Sequence, residues 1–265
     1  MKSALLSGAM AVLCVAGAYA QDSDSNKWAP AEIKIDGKAT EWPKPLQFYN
    51  NDTKLFYTIA NDAEQLYVIV SVPDQQSQMK IMRSGLTFSI NPGGKKKATS
   101  SITFPLCGDA AAPDAQESQL QRSAGEWKKA ILANVKEINV EGIAGVQDGN
   151  IPVQNSYGIR TAASVDDANN LVCELAIPLK LVGLSASSDQ PVAYRFRVNA
   201  LTREDRKAKE KEAKDRAAAA KDKDKGNGGG MHGGGIYGQQ MGGQPMENLF
   251  FSKDFWTKQT MAKHQ

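Results

Sequence analysis

The chain has 265 residues, 41% hydrophobic and 23% charged, with a formal net charge of +3. That balance is near neutral, so charge gives no case for nucleic-acid binding, and the apolar fraction is too high for a wholly disordered chain. Three cysteines and two histidines leave little material for thiolate or imidazole chemistry.

The N-terminus reads as a signal peptide over residues 1–20. Lys2 supplies a positive start, residues 4–18 are apolar, and Ala18-Tyr19-Ala20 before Gln21 fits a small-x-small cleavage site between Ala20 and Gln21. The apolar part is short for a membrane span, and polar Gln21–Asp22–Ser23–Asp24 follows directly. Leu13 before Cys14 is large where a lipid-attachment motif needs a small residue. The expectation is an exported chain, periplasmic or extracellular, with no transmembrane segment after cleavage. Residues 21–265 then form a single domain with insertions.

From residue 33 the pattern is that of strands. I-K-I-D-G opens with an alternating run and a turn at Asp36-Gly37. Leu55–Asn61, Gln65–Val72, residues 85–91 and residues 99–105 follow. Each is rich in β-branched and aromatic residues and stops at Asn, Asp, Gly or Pro. Asn61-Asp62-Ala63-Glu64 reads as a tight hairpin, and Asn91-Pro92-Gly93-Gly94 as another turn. Strands joined this way pair antiparallel and predict one side of a β-sandwich.

Residues 108–134 lose this pattern. They are rich in Ala, Gln and charged residues, with helical spacing of Trp127, Ala130, Ile131 and Asn134, and predict a helical insertion on the sandwich. Strands resume at 135–143, 157–164, 171–177 and 192–201. In the third of these, Glu174 alternates with Cys173 and Leu175 and is expected on the more exposed face; in the fourth, Arg195, Arg197 and Asn199 form a polar row. Residues 203–225 mix both charges without an apolar stripe, which suits a solvated helix, and residues 226–243 are mostly Gly, Gln and Met, a disorder composition. The span 203–246 is therefore expected to interrupt the sandwich before a last strand around 255–260.

These residues carry a resemblance. I-D-G-K-A-T-E-W at 35–42, the strand pair with Asn61, Asp62, Leu66, Tyr67 and Asp74, G-L-T-F-S-I-N at 85–91 and F-W-T-K-Q-T at 255–260 resemble family 9 carbohydrate-binding modules and the wider DOMON-like sandwiches. The resemblance implies an all-β, antiparallel, jelly-roll-like β-sandwich that binds a glycan or small ligand at one edge. In family 9 modules two tryptophans clamp the terminal sugar; the matching regions here are Gln78–Arg83, without a ring, and the 203–246 insertion, with Tyr237 alone. Some DOMON relatives hold haem with Met, His or Lys, which brings in Met79 and Met82.

Enzyme signatures are absent from the sequence: there is no G-x-S-x-G, no H-E-x-x-H and no phosphate-cradling glycine loop. The leading expectation is a non-catalytic binding module. A second is an envelope assembly protein whose 203–246 insertion contacts other envelope proteins. Candidate ligand-binding residues are Met79, Met82, Trp127, Arg195, Arg197 and Tyr237. Trp42 and Trp256 are expected in the core. No cofactor is expected beyond a structural calcium, for which Asp36 and Asp74 lie at turns where carboxylates can gather. Cys107 and Cys173 leave two readings open, a disulfide or two buried thiols.

Overall fold

A computed structural model describes residues 25–107, 124–201, 207 and 249–264. The signal segment with Ala20 and Gln21, residues 108–123 of the expected helical insertion and nearly all of 203–246, Tyr237 included, lie outside them.

The chain forms β1 (Lys27–Trp28), β2 (Phe48–Asn50), β3 (Leu55–Asn61) and β4 (Gln65–Val72), then helix α1 (Gln75–Ser84). β5 (Leu86–Asn91) and β6 (Ser100–Phe104) follow, and after helix α2 (Ala124–Ala133) come β7 (Glu137–Glu141) and β8 (Gly149–Pro152). β9 (Arg160–Val165), β10 (Leu171–Pro178), β11 (Val192–Val198) and β12 (Lys253–Gln259) complete the described strands.

They make two sheets. The first has the order β1-β3-β4-β10-β9, with β2 also on β3; the second has the order β12-β11-β5-β6-β7-β8. Every pairing between these strands is antiparallel except β1 with β3. The β3–β4 hairpin forms where the sequence predicts it, because Asp62 Oδ1 accepts from the backbone N–H groups of Glu64 and Gln65, both at 2.7 Å. The last strand also returns as expected. β12 pairs along its whole length with β11, from Val192 opposite Gln259 to Val198 opposite Lys253.

Alternate residues of the two sheets bury one core. Leu55, Tyr57 and Ile59 of β3 and Val68 and Val70 of β4 meet Phe88, Ile90, Tyr194 and Phe196 from the other sheet. Phe196 is the hub: its ring lies 4.7 Å from Tyr57, 5.1 Å from Phe88 and 5.2 Å from Phe255. Such a period-2 division of faces is what an antiparallel strand imposes.

Helix α1 is a departure from the sequence reading, which gave residues 78–83 no element. Asp74 caps it, its Oδ2 accepting from Ser77 N–H at 2.8 Å, and Gly85, at φ +80°, ends it with its N–H on Ile81 O. The signal was present as an Asp followed by unbranched Gln, Met and Lys, which are good helix formers. Ile81 and Met82 point into the core.

Residues 29–46 are the second departure. The run Ile33–Lys34–Ile35 is not a strand; the segment lies as a covering layer of turns on the outer face of the first sheet. Ile33, Ile35, Ala39, Leu46 and buried Trp42 pack there on Ala60, Tyr67, Ile69, Val172 and Ala176. The cause is visible in β4 and β10, whose outer faces carry Tyr67, Ile69, Val172 and Ala176 and so need cover there as well as on the core side. Gly37 brings this layer close: a Cβ there would sit 2.8 Å from Ala163 C, at φ +80°.

The two described ends of the chain are clasped together. Ser25 bridges Thr260 in parallel, and Asn26 N–H donates to Thr260 O at 2.9 Å. Fully buried Asn61 donates to Ala262 O at 3.0 Å and accepts from Ala262 N–H at 2.8 Å and from Asn26 Nδ2 at 3.2 Å. Asn61→Ala would leave the buried Ala262 backbone groups without partners, so it is expected to cost about 2–4 kcal/mol, read as a lower urea midpoint at unchanged m-value.

Candidate functional site

The outward face of the second sheet is where the polar alternation of β5, β6, β7, β11 and β12 converges. Register sets it out in two rows. Trp256, Arg195, Ser89, Ser101 and Glu141 lie side by side across β12, β11, β5, β6 and β7. Asp254, Arg197, Thr87, Thr103, Asn139 and Asn150 form the row beside it, reaching β8. At about 4.8 Å per strand, the first row spans roughly 19 Å.

Side-chain size varies along each row in a way that shapes the surface. Ser89, Ser101, Thr87 and Thr103 are short and make a floor in the middle, with Ser89 only 2% exposed. Trp256 and the two arginines rise on one side, and Glu141, Asn139 and exposed Asn150 on the other. From these sizes we infer a shallow trough with an aromatic and basic wall and an acidic and amide wall.

Hydrogen bonds hold most of these groups in place. Arg195 Nε donates to Asp254 Oδ2 at 2.8 Å, and its guanidinium carbon lies 5.8 Å from the centre of the Trp256 ring. This contact braces one side of the indole. Thr87 and Thr103 share a hydroxyl hydrogen bond at 2.7 Å, and Asn199 Nδ2 donates to Thr87 Oγ1 at 3.0 Å. Across the trough, Asn139 Nδ2 donates to Asn150 Oδ1 at 3.0 Å, and Asn150 Nδ2 to Glu137 Oε2 at 3.1 Å. Ser101 Oγ donates to Glu141 Oε2 at 3.4 Å. Arg197 differs from its neighbours: its Nε is buried without a hydrogen-bond partner.

Of the residues expected from sequence, Arg195 and Arg197 are brought together on this face. Trp256 joins them, although the sequence reading placed it in the core. Its strand alternates as expected, but Phe255 is the residue that turns inward, onto Phe196 and Tyr57. In F-W the two rings are adjacent, and periodicity alone does not say which goes in. Asp254 was also missed; its partner across the strand pair is the only sign of its role.

The other candidates lie elsewhere. Met82 is 2% exposed inside the core, and Met79 is half-buried on α1. Trp127 packs its helix α2 against the core, with Lys128 Nζ 6.0 Å from its ring. Lys128 itself is buried and donates to Gln78 Oε1 at 2.6 Å; burial holds its pKa below the usual lysine range. Asp74 is the α1 cap already described, and Asp36 Oδ1 accepts from Lys38 N–H at 2.9 Å. Asp74 thus serves a helix start and Asp36 a turn, and among the described residues no group of three or more His, Cys, Asp or Glu side chains converges on one point.

Cys107, half-buried after β6, and Cys173, buried in β10, carry no bond between them in this structure. Burial pushes the Cys107 pKa up to about 12 and raises that of Cys173 as well, so neither is a thiolate nucleophile near neutral pH. Cys173 lines an apolar cavity of about 30 Å³ between the sheets with Val68, Val70, Phe88 and Thr161. That volume is far below the few hundred Å³ of a typical small-molecule site.

Glu174 is where the structure departs most from expectation. It does lie on the outer face of the first sheet, yet it is 1% exposed beneath the covering layer. Its Oε1 accepts from Trp42 Nε1–H at 2.7 Å, and its Oε2 from the N–H groups of Gly37 at 2.8 Å and Asp36 at 3.0 Å. Asp36, Gly37 and Trp42 of the 35–42 motif are thus the parts that grip this carboxylate.

No family model matches the chain, and no curated protein matches it.

Proposed function

We propose that the protein is a non-catalytic, exported β-sandwich module, similar to the family 9 and DOMON-like group, that binds a glycan on the outward face of its second sheet. The supporting observation is the row Trp256–Arg195–Ser89–Ser101–Glu141. A sugar ring has an apolar face and a polar rim. Recognising it takes a flat ring braced in place, with hydroxyl, amide and charged groups around it, and this row supplies those groups in register. The trough crosses several strands, so it suits the length of an extended chain. The family's two-tryptophan clamp has no counterpart in the described residues, so the site proposed here rests on Trp256 and the row beside it.

The test is affinity electrophoresis of the protein in gels containing neutral and acidic polysaccharides. Retardation by at least one is expected. Trp256→Ala should weaken it by about 2 kcal/mol, roughly 30-fold, as truncation of an interface tryptophan commonly does. Because Trp256 is half-buried on an outer face, its far-ultraviolet circular dichroism should match the unmodified protein. No retardation in any gel, or retardation indifferent to Trp256→Ala, would refute this reading.

A further inference from the structure

Resting on the glycan reading above, we infer that the ligand is an acidic glycan, with the carboxylate of a hexuronate residue on Arg197 and a neighbouring sugar ring on Trp256. Arg197 is the member of the trough whose bonding is incomplete. Its Nε is buried and unpartnered, and among the described residues it makes no ion pair. The carboxylate directly across the strand pair, Asp254, is taken by Arg195 at 2.8 Å. A guanidinium with no carboxylate partner is an incomplete arrangement that a bound acceptor completes. The planar guanidinium fork matches a carboxylate in two parallel hydrogen bonds, which a lone hydroxyl does not.

Position supports the same assignment. Arg197 and Trp256 are diagonal neighbours on adjacent strands, a separation of about 7–8 Å that consecutive sugars of one chain can bridge. Lys258, two residues beyond Trp256 on the same face, extends the basic wall. Glu137 and Glu141 stand on the opposite wall and repel a carboxylate there, while accepting hydrogen bonds from neutral hydroxyls. An acidic chain is therefore oriented with its carboxylate toward β11 and β12.

The experiment compares affinity for three hexuronate homopolymers (polygalacturonate, polymannuronate and polyglucuronate), each as the free acid and as the methyl ester, which keeps the sugar and removes the charge. At least tenfold tighter binding to one free acid than to its ester is expected, weakening as salt rises. Arg197→Gln should bring that ratio close to one while retaining binding to the ester, and Arg197→Lys should restore only part of the preference. Equal affinity for acid and ester in all three would overturn the acidic assignment and leave the glycan reading standing. A sulfated glycan held as tightly as the best free acid would overturn the carboxylate assignment alone. Silence toward all six polymers and every neutral glycan would overturn both.

Discussion

Glu174→Leu is expected to destabilise the protein by about 3–5 kcal/mol, because it removes the one acceptor of three buried donors while leaving the donors in place. Trp42 Nε1–H and the N–H groups of Asp36 and Gly37 all end on this carboxylate. They belong to the layer that covers the outer face of the first sheet, so the loss should loosen that whole layer. For a domain of this size the change corresponds to a fall in Tm of about 10 °C or more. Limited proteolysis should then cut first within residues 29–46, and unchanged resistance there would contradict the latch role.

The same carboxylate gives a pH signature. Burial raises its pKa above the ordinary value, and the hydrogen bonds from Trp42, Gly37 and Asp36 offset part of that rise. A folded-state pKa above the unfolded one means that the native state binds the proton more tightly. The resulting stabilisation is complete below the unfolded value of about 4.5 and is lost as pH rises through the folded value. The stability of the unmodified protein minus that of Glu174→Gln should accordingly decline from pH 4.5 upward. A difference that grows with pH would mean that the three donors outweigh desolvation.

Phe196→Ala is the second large effect, expected at about 3–5 kcal/mol from lost burial and the cavity left behind. The ring is fully buried and touches Tyr57 of the first sheet and Phe88 and Phe255 of the second. It also stands between Arg195 and Arg197 in β11, so the basic wall of the trough rests on it. Denaturant titration should give the energy, and glycan affinity should fall as well. Phe196→Leu, which keeps most of the volume, should recover more than half of both losses. Retained affinity in a destabilised Phe196→Ala would show that the two rows are held by strand pairing alone.

The strands were legible because period-2 alternation is a local property. In β3, β4, β10 and β11 the branched and aromatic residues alternate or run continuously, and Asn, Asp, Gly and Pro mark the ends, so existence and approximate bounds follow from neighbours a few residues apart. The same locality explains what was missed. β2 and β8 are short, at three and four residues, and carry too few alternations to register. The I-K-I run has the alternation of a strand but no partner strand to pair with, and it packs flat as cover.

By itself, the sequence determined which residues share a face: Arg195 with Arg197, Glu174 with Val172 and Ala176. The tertiary structure alone decided what lies on each face. Glu174 is buried because Trp42, 132 residues earlier, folds over it, and Trp256 is on the outside because its neighbour Phe255 is drawn to Tyr57 and Phe196. Alternation is set by backbone geometry within a strand, whereas cover is set by contacts between segments far apart in the chain. Both the latch and the trough depend on such contacts.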